Sequence, residues 1–167
     1  MNIYLVGFMG TGKTSVGQAL AKQKSWNFVD LDELIELQEQ RRIVDIFAKE
    51  GEACFRKIEK KVLKQVSTQD KFIVACGGGI VLDAANIKLM KKTGILICLR
   101  ARPEAILKRV STNSLRPILN VAKPRERIEL LLKMRAPYYL QADKSIDTSR
   151  LTIKQVVAKI SGMLAKK

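Results

Sequence analysis

The sequence predicts an α/β fold in which a five-stranded parallel sheet carries helices on both faces. Short apolar runs alternate along the chain with longer stretches of helical periodicity, which is typical of consecutive β-α units. The first, third and fourth runs are apolar throughout, as expected for parallel strands that helices cover on both sides. The predicted strands are Ile3–Val6, Trp26–Val29, Phe72–Ala75, Ile95–Leu99 and Ser145–Asp147.

The 167 residues are predicted to form a single domain over 1–167, because no repeat, low-complexity segment or linker divides them. No apolar run approaches the roughly 20 residues that span a bilayer. One stretch, 111–123, is rich in turn-forming residues and contains the pair Arg116-Pro117. We interpret it as a mobile lid.

Composition excludes several classes of protein. The chain has no histidine, which rules out a histidine triad or a histidine metal site. Three cysteines, Cys54, Cys76 and Cys98, are too widely spaced for a metal motif and odd in number for a disulfide framework. The opening residues lack the basic region of a signal peptide, so a cytoplasmic protein is expected.

The formal net charge is +15. A basic surface suits nucleic acid, a membrane surface or anionic small ligands, and it can also be simply solvated. No aromatic residues interleave the basic clusters and no nucleic-acid signature is present. We therefore expect a solvated surface that helps to steer anionic substrates, with no nucleic-acid or membrane partner.

The strongest motif follows the first strand, where residues 7–14 read Gly-Phe-Met-Gly-Thr-Gly-Lys-Thr. This matches the P-loop pattern G-x-x-x-x-G-K-[ST] between a β-branched strand and an amphipathic helix, the context that the pattern requires. Its N–H groups and the helix N-terminus favour phosphate oxygens. Lys13 is expected to reach the β- and γ-phosphates of ATP, and the Thr14 hydroxyl to ligate Mg²⁺. The predicted ATP-binding residues here are Gly10, Thr11, Gly12, Lys13, Thr14 and Ser15.

Two acids, Asp30 and Asp32, follow the second strand. If the strand continues through them, both side chains lie on one face at the carboxyl end of the sheet, where ligands bind in open α/β folds. One acid can then support Mg²⁺ through water while the other accepts the proton of an attacking hydroxyl. The alternative is that one of them caps the helix starting near Glu33.

The segment after Gly51 contains an arginine and a glutamate on one helix. Core spacing starts at Phe55, and Glu59 falls on the same inward stripe with Arg56 one turn before it. An arginine held by a buried acid is suited to bidentate capture of a substrate carboxylate. A purely structural ion pair is the alternative.

Three consecutive glycines, Gly77, Gly78 and Gly79, follow the third strand. Glycines at this position let a ligand touch the backbone and bond its N–H groups, although a plain tight turn is the alternative. We predict that they line the acceptor site.

Two more arginines are candidates in the second half of the chain. Arg116 in the predicted lid can neutralise charge on the transferred phosphoryl group when the lid closes. Arg135 lies seven residues after Ile128 and continues the buried stripe of the helix that Pro124 opens. It needs an anion such as a substrate carboxylate, unless it snorkels to the surface.

With these residues together, the chain resembles the shikimate kinase family over nearly its whole length. The motifs occur in order: the P-loop, Asp-x-Asp, Gly-Glu-x-x-Phe-Arg-x-x-Glu, Gly-Gly-Gly, Leu-Arg-Pro-Ile-Leu, and an arginine shortly before Tyr138-Tyr139. The resemblance implies a three-layer P-loop kinase fold and a monomer. It also implies transfer of the γ-phosphoryl group of ATP to the 3-hydroxyl of shikimate, a step in aromatic amino-acid biosynthesis.

The resemblance implies a role for each matched residue, with Thr14 ligating Mg²⁺, Asp30 supporting the ion through water, and Arg109 stacking on adenine. The implied catalytic residues are Lys13, Asp32 and Arg116. The implied shikimate-binding residues are Asp32, Arg56, Gly77, Gly78, Gly79 and Arg135. Besides the P-loop, the implied ATP-binding residues are Arg109, Arg116 and Arg150.

Two other functions remain open. Paired arginines facing three glycines favour a small carboxylate without singling out shikimate, so a gluconate-type kinase of the same fold is one alternative. A non-catalytic ATP-binding relative that uses the basic surface is the other.

Overall fold

The computed structural model describes residues 1–111 and 121–165. The described residues form β1 Asn2–Val6, β2 Asn27–Asp30, β3 Phe72–Ala75, β4 Gly94–Arg100 and β5 Lys144–Asp147. These strands make one sheet in the order β2-β3-β1-β4-β5, and every neighbouring pair is parallel. The predicted sheet is confirmed, with strand ends shifted by at most one residue.

Helices connect the strands and form the outer two layers. A 3₁₀ turn, Ile80–Leu82, precedes the fourth helix. The helices are α1 Lys13–Lys24, α2 Leu31–Glu39, α3 Ile43–Ser67, α4 Ala84–Thr93, α5 Pro103–Val110, α6 Pro124–Tyr139 and α7 Ile153–Ala165.

The central strand β1 shows how the core is divided. Its side chains alternate between the two faces, as in any strand. Ile3 and Leu5 pack into a cluster with α1 and α7, whereas Tyr4 and Val6 pack into a larger cluster with the remaining helices. Because both faces are buried, the strand is apolar at nearly every position and its carboxyl end is held rigidly under the P-loop.

The expected strand geometry of the two acids is wrong. Strand β2 ends at Asp30, and Asp32 lies in the first turn of α2. Asp30 is the N-cap of that helix, and its Oδ1 accepts a hydrogen bond from the Asp32 backbone N–H at 3.0 Å. The capping alternative therefore holds for Asp30. The two carboxylates come close because the chain turns into α2 between them, and not because they alternate along a strand.

Helix α3 is longer than expected and is broken at Gly51. It begins at Ile43, well before the predicted start at Phe55, and Gly51 interrupts it with φ 80° and ψ 174°. A non-glycine residue rarely adopts this conformation, so the glycine fixes the position of the break. The first segment of α3 is thereby turned so that Ile43 and Phe47 face the same cavity as Arg56.

Most of the predicted lid, 111–123, and with it Arg116, lies outside the described residues. Within the described part of the chain, no helix is long and apolar enough to cross a membrane. Cys54, Cys76 and Cys98 are free thiols, as expected.

Candidate active site

A cavity of about 870 Å³ lies at the carboxyl ends of the strands. Its walls contain almost all of the predicted site residues that the structure describes. Arg150 is the exception among these: it is exposed, and the cavity wall passes through Thr148 and Leu151 instead. The predicted residues on the wall are Gly10, Thr11, Gly12, Lys13, Thr14, Ser15, Asp30, Asp32, Arg56, Gly77, Gly78, Gly79, Arg109 and Arg135.

The P-loop wraps one end of the cavity. Gly7 has φ 140°, and a Cβ there would overlap the carbonyl oxygen of Leu99, so only glycine lets the loop leave β1 this close to β4. The Lys13 ammonium donates to the carbonyl oxygens of Gly7 and Phe8 at 2.9 and 3.0 Å. The loop's own backbone thus anchors the lysine at the mouth of the phosphate cradle.

Thr14 and Asp30 meet beside the P-loop. The Thr14 hydroxyl donates to Asp30 Oδ2 at 2.7 Å, which leaves the lone pairs of the hydroxyl oxygen available to a cation. Oxygen donors of this kind are what Mg²⁺ prefers, and it commonly keeps several waters. The pair therefore fits the predicted magnesium role, with Thr14 as ligand and Asp30 next to it.

Asp32 lies across the cavity from the P-loop in an environment that disfavours its charge. Burial and the neighbouring Asp30 carboxylate raise the pKa of Asp32, while Lys13 and Arg56 act in the opposite direction. A carboxylate with a raised pKa is a better proton acceptor than an ordinary aspartate. The side chain can therefore serve as a general base or orient a hydroxyl.

Arg56 is held by two glutamates on its own helix. Its Nη1 donates to Glu59 Oε2 at 2.7 Å, and its Nε and Nη2 donate to Glu52 Oε1 at 3.2 and 3.1 Å. Glu59 is 1% exposed, and burial is the main cause of its raised pKa. The expected pair is present, and the guanidinium is fixed at the cavity wall with about a quarter of its side chain exposed.

The glycine turn, Gly77–Gly79, is closely packed by charged side chains. A Cβ on Gly77 would lie 2.9 Å from Asp32 Oδ1 and 3.0 Å from Glu59 Oε1. A Cβ on Gly79 would overlap the Arg56 guanidinium. None of the three has a positive φ, so the turn needs glycine for close approach rather than for an unusual backbone conformation. The segment is a tight turn, closed by the Ile80 N–H donating to the Gly77 carbonyl at 3.2 Å, and the close packing is a further reason for its glycines.

Arg135 completes the acceptor side from α6. Its guanidinium lies 5.6 Å from the centre of the Phe8 ring, and its Nη1 would be 3.2 Å from a Cβ on Gly78. The half-buried arginine stays in the cavity rather than reaching out to solvent. Two guanidiniums thus lie against the glycine turn, that of Arg56 at Gly79 and that of Arg135 at Gly78.

Arg109 lies at the nucleotide end, tied to Thr148. Its Nη1 donates to the Gly10 carbonyl at 3.0 Å and to Thr148 Oγ1 at 3.1 Å, and its Nη2 donates to the Thr148 carbonyl at 2.7 Å. The Thr148 hydroxyl in turn donates to the Thr11 carbonyl at 3.0 Å. Sequence reasoning missed Thr148, although the turn after β5 was the natural place to look for it.

Two aromatic residues form a wall that sequence reasoning also missed. Phe47 and Phe55 pack with ring centres 4.8 Å apart and both line the cavity. Phe47 is 38% exposed, which is unusual for a phenylalanine. The acceptor site therefore pairs charged groups with an apolar wall, as ligand pockets usually do.

A P-loop that faces an aspartate, two anchored arginines and a bare glycine backbone defines an ATP-dependent phosphotransferase with a small alcohol acceptor. Comparisons with known proteins identify one family of this class. A family model described as shikimate kinase matches residues 9–165, and the chain belongs to that family.

Curated relatives and solved structures of the same family are similar to this chain over nearly its whole length. The shikimate kinase of Thermodesulfovibrio yellowstonii is 46% identical over 159 residues, covering 95% of this chain and 92% of that protein. The structure of shikimate kinase from Acinetobacter baumannii in complex with shikimate has a TM-score of 0.92 and 37% identity, covering 98% of this chain and 92% of that one. That of Aquifex aeolicus has a TM-score of 0.84 and 32% identity, covering 99% and 96%. The predicted P-loop kinase fold is confirmed.

Proposed function

We propose that this chain transfers the γ-phosphoryl group of ATP to the 3-hydroxyl of shikimate, giving shikimate 3-phosphate and ADP. The observation that carries this proposal is the shared cavity, in which Asp32, Arg56, the glycine turn and Arg135 lie together with Lys13. Membership of the shikimate kinase family supports the choice of acceptor over a gluconate-type substrate.

On the nucleotide side, the P-loop N–H groups and Lys13 hold the β- and γ-phosphates. Thr14 would ligate Mg²⁺ and Asp30 would hold a water of the ion. The ion, when bound, neutralises charge on the phosphate oxygens. Arg109 would stack on adenine, and Arg150 would contact the nucleotide.

On the acceptor side, Arg56 and Arg135 bind the carboxylate of the substrate from two directions. The backbone of the glycine turn, together with Asp32, orients the hydroxyls of the substrate. Asp32 also accepts the proton of the hydroxyl that attacks. Because phosphoryl transfer passes through a loose transition state, this positioning and the surrounding positive charge supply most of the acceleration.

The remaining features of the proposal concern the chain as a whole. It acts as one kinase domain and as a cytoplasmic monomer. Arg116, in the predicted lid at 111–123, would neutralise charge on the transferred phosphoryl group.

The test is ADP release by the purified protein with shikimate, with gluconate, and with no acceptor. Shikimate alone should produce rapid turnover, and Lys13→Ala should abolish it while Lys22→Ala, an exposed lysine on the same helix, should not. Turnover with gluconate would favour the rival kinase, and ATP binding without transfer to any acceptor would favour the non-catalytic relative.

A further inference from the structure

Tyr139, the last residue of α6, contacts the glycine turn directly. It is 7% exposed, and its hydroxyl donates to the carbonyl oxygen of Gly78 at 2.7 Å. It follows Arg135 by one helical turn, so the two side chains lie on the same face of α6. A Cβ on Gly78 would lie 3.6 Å from the Tyr139 hydroxyl and 3.2 Å from Arg135 Nη1, so both residues meet the same glycine.

This hydrogen bond controls the direction of a backbone donor. The Gly78 carbonyl and the Gly79 N–H belong to one planar trans peptide unit and point in opposite directions. Holding the carbonyl against Tyr139 therefore directs the Gly79 N–H away from α6. Within the described part of the chain that N–H has no hydrogen-bond acceptor, so it remains available to a ligand in the cavity that Gly79 lines.

Other hydrogen bonds hold the rest of the turn, and the Tyr139 hydroxyl holds the Gly78 carbonyl. The Ile80 N–H donates to the Gly77 carbonyl at 3.2 Å, and the Asn86 side chain donates to the Ile80 carbonyl at 3.1 Å. Neither bond reaches the Gly78 carbonyl. Burial raises the pKa of Tyr139 to about 12, so the hydroxyl stays protonated and able to donate near neutral pH.

We propose that Tyr139 is a positioning residue for acceptor binding, which orients the Gly79 N–H and couples the glycine turn to Arg135. This inference rests on the proposed function, because it assumes that the glycine turn and Arg135 bind the same anionic acceptor. Tyr139 itself does not line the cavity, so it acts through the Gly78–Gly79 peptide and through Arg135, which hydrogen-bonds its side chain.

The test compares Tyr139→Phe with Tyr4→Phe, since each substitution removes one buried hydroxyl and keeps the ring. Tyr4 is fully buried and its hydroxyl bonds Thr93 Oγ1 at 2.7 Å, far from the acceptor site. Tyr139→Phe should raise the KM for shikimate about fivefold, the effect of losing one net hydrogen bond, and leave the KM for ATP and kcat nearly unchanged. Tyr4→Phe should lower the melting temperature and leave both KM values unchanged.

The possible results separate the two proposals. An unchanged KM for shikimate in Tyr139→Phe, or equal rises in both KM values, would show a merely structural role and overturn the inference while leaving the function intact. A wild-type protein that does not phosphorylate shikimate would overturn the proposed function and this inference together. Melting curves of both variants establish that each is folded at the assay temperature.

Discussion

At the scale of single residues, the environment of the Asp32 carboxylate has opposite effects on folding and on catalysis. Burial and Asp30 raise its pKa, which makes the ionised group costly for folding. The same environment makes that group an effective acceptor for the proton of a hydroxyl bound next to it. Lys13 and Arg56 oppose the rise.

Replacing Asp32 by asparagine should lower kcat for shikimate phosphorylation by about 10²- to 10⁴-fold, because the amide has the same shape but cannot accept the proton. Steady-state ADP release at saturating ATP measures this. Asp45→Asn, at an exposed acid paired with Arg42, serves as the control and should behave as wild type. Near-normal kcat in Asp32→Asn would show that the residue is not the base.

The same substitution should stabilise the protein at neutral pH. A carboxyl group whose pKa is raised on folding contributes stability below its ordinary value of 3.8, and that contribution is lost as the pH rises through the raised value. Asparagine does not ionise and so escapes the loss. Thermal melting should therefore show Asp32→Asn above wild type at pH 7, with the difference shrinking as the pH falls towards 4. A lower melting temperature at pH 7 would contradict the direction of the shift.

At the scale of elements, the glycine turn is built for what packs against it. Gly79 has φ −97° and ψ 0°, which alanine adopts without strain. The three atoms nearest to a Cβ there all belong to the Arg56 guanidinium. Arg56 can move, but it then leaves the position in which Glu52 and Glu59 hold it. The turn and the helix segment after Gly51 therefore act as one unit.

Gly79→Ala should accordingly raise the KM for shikimate by about tenfold or more, with little change in melting temperature or in the KM for ATP. Gly162→Ala on α7 is the matched control, because a Cβ there meets nothing within 4 Å. The control should keep full activity and gain about 0.5–1 kcal/mol of stability as a helix-interior glycine is removed. Equal effects of Gly79→Ala on both KM values would argue against a specific acceptor contact.

The elements differ in how far the sequence predicted them. The strands were predictable because parallel strands buried on both faces are apolar throughout, and the P-loop because its pattern requires a fixed strand and helix around it. The helical position of Asp32 was not, because an aspartate at the end of a strand and one that caps a helix look alike in a short segment. The roles of Phe47 and Thr148 depend on contacts between distant segments, which local periodicity does not encode.

At the scale of the whole molecule, the two substrates are held by different parts of the sheet. The P-loop follows the central strand β1, and Arg109 and Thr148 follow β4 and β5. Asp32, Arg56 and the glycine turn all lie between β2 and α4, on the other side of the P-loop. Arg135 reaches the acceptor half from α6, and so does Tyr139 through its hydrogen bond to the Gly78 carbonyl.

This division predicts separable stabilisation by the two ligands. Each ligand at about 100 times its dissociation constant should stabilise the wild-type protein by about 2.7 kcal/mol, or roughly 5–10 °C in melting temperature. Lys13→Ala should lose most of the shift caused by ATP with Mg²⁺ and keep the shift caused by shikimate, as measured by thermal melting. Loss of both shifts would mean that the two sites are not independent.

The order of the strands has one more consequence, for the way new specificities arise. The segment from α2 to the 3₁₀ turn follows β2 and includes β3, on one side of the sheet. Its side chains can therefore be exchanged while the nucleotide-binding residues that follow β1, β4 and β5 stay in place. A chimera that takes residues 31–82 from a kinase of the same fold would inherit a different alcohol to phosphorylate and keep the same phosphate donor. Arg135 lies outside the exchanged segment, and its positive charge favours acceptors that carry a negative charge.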